Sequence, residues 1–248
     1  MSERPVIVSR GDTVTTITLS RPEALNAITD EMLVLLGDAL EEAAGSDSRV
    51  IVLTGAGKAF SAGVDLKALG QRSLSNGMVG DFLDVPARRV IDLLTATPKV
   101  VIAKVNGFCF TGALELVLAC DIAVAALRAR FGDTHAKFGL RPTWGMSQRL
   151  VRAVGITRAR ELSYTARTFT GAEAAQWGLV VDAVPADELD AYVDALAATI
   201  AENSAGSLAA YKDLYGAALN RGLADGLAYE AATEYDIPDT ESRIAGFR

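Results

Sequence analysis

The chain is short of the residues that most often do chemistry, with one histidine and two cysteines in 248 residues. Cys109 and Cys120 both lie among apolar neighbours. They have neither the spacing of a zinc cluster nor that of a secreted disulfide framework, so they read as small buried hydrophobes and no metal site is expected. Basic charge is also scarce: 24 Lys and Arg face 31 Asp and Glu, a net charge of −7. That balance argues against nucleic acid or an anionic membrane as partner. No apolar run reaches the ~18 residues of a membrane span, since Lys104, Asn106, Glu115 and Asp121 interrupt the most hydrophobic stretch, 100 to 126. The opening MSERPVIVSR has no apolar core of the signal-peptide kind, and a cytoplasmic protein is expected. Half of the residues are nevertheless hydrophobic, enough for one large domain or a domain with a helical extension.

What is present alternates. Val6 and Val8, then Val14, Ile17 and Leu19 flank a turn at Arg10-Gly11-Asp12 and predict a hairpin. Met32, Leu35, Leu36, Ala39, Leu40 and Ala43 repeat at helical spacing behind Thr29 or Asp30 as N-cap, and that helix should stop before Gly45. Buried-type strands are expected at 49–55, 99–107 and 121–126. Between them lie a loop at 71–81, a helix to about Leu94 and a helix from Gly112 to Cys120. Thr170 with Glu173 forms a capping box, Trp177 to Val180 should return to a strand, and Leu189, Val193, Leu196 and Ile200 mark a further helix. Strands alternating with helices predict an α/β core.

Two stretches rich in small residues follow strands. The first, GAGKAFSAGVDLK at 55 to 67, has Val52 where a Walker loop needs its first glycine and Ala59 after Lys58. It also fails the dinucleotide fingerprint, with Phe60 at the third glycine. What remains is either a plain tight turn or a place where a ligand can lie against the main chain and its N–H groups. The second, NGFCFTGALELVLACD at 106 to 121, puts Gly112 at a helix start, where the dipole favours an oxyanion. Glu115, one turn in, stands among Leu114, Leu116, Val117 and Leu118. Such a carboxylate is either tuned by burial for proton transfer or turned to a solvent seam.

Together, GKAFSAGVDL, NGFCFTGALELVLACD, RPEALNAI at 21 to 28 and AAQWGLV at 174 to 180 resemble the crotonase superfamily, the enoyl-CoA hydratases and isomerases. The likeness covers nearly the whole chain. It implies a crotonase-like α/β fold, a spiral of ββα units over residues 1–190 with a C-terminal helical trimerisation region at 191–248 and a homotrimer or dimer of trimers. It further implies an oxyanion hole from the backbone N–H groups of Val64, after Ala62-Gly63, and of Gly112. The nucleotide end of coenzyme A is then expected near Ala62, Asp65 and Lys67, with Lys58 and Arg21 as further candidates for phosphate contact, and Gly63 and Leu66 complete the substrate-binding set. Coenzyme A belongs to the acyl-CoA substrate, and no separate cofactor is implied.

Glu115 stands where the hydrating members carry one catalytic glutamate. Their second follows in a stretch spaced F-x-x-x-E-x-x-x-G-x-x-P, and this chain reads FGDTHAKFGLRP, with His135 at the carboxylate position. Imidazole handles protons near neutral pH, so His135 joins the candidates, against the alternative of a structural histidine. Thr111 and Ala113 flank Gly112 where glycine is common, which should narrow the pocket. The resemblance implies hydration of a trans-2-enoyl-CoA, with double-bond isomerisation or a non-catalytic acyl-CoA-binding trimer as the alternatives.

Overall fold

The computed structural model describes residues 4–246 except 71 and 73. The hairpin forms as expected: β1 (Val6–Arg10) pairs antiparallel with β2 (Val14–Leu19). In β2 the buried set is Thr15, Ile17 and Leu19, so Val14 falls on the other face and Thr15 takes the inward place. Strict period-2 alternation requires this, since Val14 and Ile17 are three residues apart. Thr29 caps α1 (Asp30–Gly45) by accepting from the Met32 N–H at 3.2 Å.

The next elements are β3 (Val50–Gly55), β4 (Ala59–Ser61), α2 (Leu66–Leu69), α3 (Asp81–Ala96), β5 (Val100–Val105), β6 (Phe108–Phe110), α4 (Gly112–Val117), β7 (Ile122–Ala126) and β8 (Arg130–Gly132). α5 (Met146–Thr165) follows, interrupted at Gly155 with φ 75°, and then β9 (Phe169–Thr170), α6 (Gly171–Gln176) and β10 (Asp182–Val184). The capping box at α6 closes in both directions, Thr170 N–H to Glu173 Oε2 at 2.8 Å and Glu173 N–H to Thr170 Oγ1 at 3.1 Å. The strand expected at Trp177 to Val180 begins at Asp182 instead, because Gly178 turns the chain with φ 76°.

The strands form two sheets. The six-stranded one runs β1-β2-β3-β5-β7-β10, parallel beyond the first pair, and the four-stranded one runs β4-β6-β8-β9. Successive pairs β3/β4, β5/β6 and β7/β8 each give one strand to the large sheet and the next to the small one. Such a repeat of strand, strand and helix advances as a spiral, and every residue of β3 is buried, as a covered parallel strand requires.

After β10 the chain is helical: α7 (Leu189–Ala201), α8 (Ala205–Asn220), α9 (Leu223–Ala232) and α10 (Thr240–Ala245). α7 packs on β2, β3, β5 and β7 and starts one residue before the expected boundary at 190. Lys212 of α8 reaches the core: its Nζ donates to the carbonyls of Leu94 and Lys99 at 2.9 and 3.0 Å and to Asp121 Oδ2 at 2.7 Å. Among the described residues no helix is long and apolar enough to cross a membrane.

Candidate active site

Both glycine-rich stretches come together because β4 and β6 are neighbours in the small sheet. The glycines have different tasks. A Cβ on Gly55 would lie 2.2 Å from the Ala59 carbonyl and one on Gly107 2.0 Å from the Lys58 carbonyl, so these two serve close chain packing. Gly63 has φ 87°, and its Cβ would meet the Phe110 carbonyl at 2.6 Å. The Val64 segment is pinned on either side, Ile28 N–H to the Gly63 carbonyl at 2.8 Å and Asp65 N–H to the Ile28 carbonyl at 2.9 Å. Across it stands Gly112, preceded by Thr111 in the strained conformation φ 52°, ψ −112°. That conformation is held by Thr111 N–H to the Gly132 carbonyl at 2.9 Å and by a 2.6 Å hydroxyl contact with Thr134. Among the described residues, neither the Val64 nor the Gly112 N–H donates to a protein acceptor.

Glu115 is 2% exposed. α4 ends at Val117 and a turn takes the chain to Cys120, so the expected helix is shorter and its dipole contributes less. One carboxylate oxygen, Oε1, accepts from the backbone N–H groups of Trp144 at 3.0 Å and Met146 at 2.9 Å. Burial pushes its carboxyl up to about 7, against the pull of His135 and of those two N–H donors. The second oxygen lies 3.6 Å from His135 Nε2. His135 is also buried, and its Nδ1 meets Asp133 Oδ1 at 2.7 Å. Asp133 in turn accepts from the Ser163 hydroxyl at 2.7 Å. Burial acts to raise the Asp133 carboxyl, but the hydrogen bonds from His135 and Ser163 outweigh it and hold it below the usual carboxylate range.

One cavity, of about 40 Å³, is walled by Ala62, Val64, Gly112, Glu115, His135 and Trp144, among others. Glu115, His135, Val64 and Gly112, predicted from separate motifs, thus line one space. Sequence reasoning missed Trp144 and Asp84. The Trp144 ring lies so close over Gly112 that a Cβ there would sit 2.6 Å from it. Its Nε1 donates to buried Asp84 Oδ1 at 2.9 Å, an oxygen that also accepts from the Thr143 hydroxyl at 2.7 Å. Asp84, in an amphipathic helix, carried no local signal. Asp133 did: it stands two residues before the lone histidine.

Leu66 lines the cavity, while Lys67 and Lys58 are exposed. Asp65 caps α2, accepting from the N–H groups of Lys67 and Ala68. The Arg21 guanidinium is engaged within the fold, by the Ala27 carbonyl at 2.6 Å and Asp65 at 3.1 Å. Among the described residues, no group of three or more His, Cys, Asp or Glu side chains is placed to hold a metal ion.

Two sheets traversed by a spiral, and a buried carboxyl opposite two unengaged N–H groups, define the class. The family model for enoyl-CoA hydratase/isomerase matches residues 9–248, and the chain belongs to that family. It is 36% identical over 247 residues to 2,3-dehydroadipyl-CoA hydratase of Escherichia coli, covering 99% of this chain and 94% of that one. An enoyl-CoA hydratase of Bacillus anthracis of solved structure superposes with a TM-score of 0.88 at 31% identity, over 98% of this chain and 94% of that one. A monofunctional enoyl-CoA isomerase of Mycobacterium smegmatis superposes at 0.78 and 30%, over 94% of this chain and all (100%) of that one.

Proposed function

We infer that the protein is an enoyl-CoA hydratase, adding water across the 2,3 double bond of a trans-2-enoyl-CoA. The observation that carries this reading is the facing pair Glu115 and His135, 3.6 Å apart beside two N–H groups without protein acceptors. The thioester carbonyl oxygen sits against the Val64 and Gly112 N–H groups. Donors of this kind are worth about 3 to 4 kcal/mol each where they stabilise an oxyanion. Glu115 as carboxylate takes a proton from water while its oxygen bonds to Cβ. The electron pair moves to the carbonyl oxygen as an enolate, and protonated His135 gives the Nε2 proton to Cα. The proton on Glu115 then returns to Nε2 across the short gap, and the site is reset.

The exposed Lys58 and Lys67 supply charge for the coenzyme A phosphates, with Arg21 and Asp65 fixing the loop that presents Ala62, Gly63 and Leu66. The reaction needs no cofactor beyond these groups, and a cytoplasmic setting, in which both thiols stay reduced, goes with it. Residues 191–248 form the assembly region of a homotrimer or a dimer of trimers. Tyr211, Tyr215, Leu219, Leu223 and Leu227 support this, as large side chains exposed along α8 and α9.

The test is incubation with crotonyl-CoA and with a ten-carbon 2-enoyl-CoA, followed by mass. Gain of one water on the short substrate is expected, and Glu115→Gln should lower kcat at least ~100-fold. Conversion of a 3-enoyl-CoA without mass change would show the isomerase instead. Tight binding with neither reaction would show a binding protein.

A further inference from the structure

We propose that Asp133, steadied by Ser163, is the positioning residue that makes His135 competent in this reaction, so that a carboxylate–imidazole couple replaces a pair of carboxylates. The inference rests on the hydratase reading of the site.

The chain of contacts is continuous and buried. The Ser163 hydroxyl, from α5, donates to Asp133 Oδ2 at 2.7 Å. Asp133 Oδ1 lies 2.7 Å from His135 Nδ1 and also accepts the His135 backbone N–H at 3.3 Å. An ionised carboxylate can only accept, so the ring must carry its proton on Nδ1. Nε2 is thereby left for the proton that moves, and it is the nitrogen facing Glu115 Oε2 at 3.6 Å. Asp133 thus does two things at once. It fixes the ring's tautomer and orientation, and its charge stabilises the imidazolium that must exist before Cα is protonated. The Nδ1 proton never leaves; the Nε2 proton goes to Cα and is replaced by the one Glu115 took from water. The other ionisable groups around the ring are Glu115 from α4 and, across the adjoining cavity, Arg141, Arg160 and Tyr164. Asp133, at 2.7 Å, is closer to the ring than Glu115, at 3.6 Å.

His135 is the chain's one histidine, so histidine labelled with ¹⁵N reports on this ring alone. In the wild type the neutral ring should show the proton on Nδ1. Asp133→Asn removes the charge at nearly constant volume. It should lower the ring's titration midpoint by about one pH unit or more, the usual effect of losing a close opposite charge. The high-pH limb of kcat/KM on crotonyl-CoA should move down by the same amount. Ser163→Ala should shift both in the same direction by less, and it serves if Asp133→Asn does not fold. A midpoint that stays put in the folded variants overturns the proposal, as does a midpoint that moves while the rate profile does not. His135→Ala separates the two readings. If it abolishes hydration while Asp133→Asn keeps the wild-type profile, only the role of Asp133 falls. If His135→Ala hydrates at the wild-type rate, the acid assigned to His135 was wrong and Asp133 has nothing to position.

Discussion

Glu115 should hold the fold back at high pH, and replacing it with glutamine should release that cost. A carboxyl that ionises near 4.5 in the unfolded chain does so at about 7 here, because burial disfavours the charged form. Below pH 4.5 the group is protonated in both states and its contribution to stability is fully present. As pH rises toward 7 the unfolded state gives up its proton while the folded state keeps it, and stability falls. Above 7 the loss is complete. Two and a half pH units at about 1.4 kcal/mol each amount to about 3.5 kcal/mol. Glutamine keeps an oxygen for the Trp144 and Met146 N–H groups, 3.0 and 2.9 Å away in the wild type, and has no proton to lose. Urea denaturation of wild type and Glu115→Gln at one protein concentration, at pH 5 and pH 8.5, tests this. The variant's advantage should grow by about 2 to 3 kcal/mol between the two. A difference that does not change with pH, or a variant that loses ground at pH 8.5, would refute the reasoning.

Three further outcomes follow from the packing. Gly63→Ala puts a methyl 2.6 Å from the Phe110 carbonyl at a residue with φ 87°. It should cost at least about 1 kcal/mol and lower kcat more than it raises KM, because the Val64 N–H shifts with it. Trp144→Phe leaves Asp84 Oδ1 with only the Thr143 hydroxyl. A loss of about 1 to 3 kcal/mol, seen as a lower melting temperature, is expected, and an unchanged melt would mean the indole N–H contributes nothing. Lys212→Met leaves the Asp121 carboxylate with the Val101 N–H alone and removes the donor that two carbonyls now share. Stability should fall by about 2 kcal/mol or more, and amide exchange should rise first in α8.

The sequence by itself determined what depends on near neighbours. The Thr29 cap, the Thr170–Glu173 box and the hairpin turn are completed within a few residues, so their chemistry is written in order along the chain. The burial of Glu115 was legible for the same reason: leucine and valine surround it in the sequence, and a carboxylate there stands out. Family resemblance extended this to Val64, Gly112 and His135, whose convergence in one cavity the pairing of β4 with β6 and of β6 with β8 explains. Tertiary structure alone decided the partners. Ser163 lies 30 residues beyond Asp133, Asp84 lies 60 before Trp144, and Lys212 lies 91 beyond Asp121. No periodicity links such pairs, because each depends on where separate helices dock on the sheets. It also set the Arg21 guanidinium against Asp65 and the Ala27 carbonyl, and divided the glycines between close backbone packing at Gly55 and Gly107 and a positive φ at Gly63. A residue type limits what chemistry a position can do, but the distance and direction to a partner exist only once the chain has closed around them.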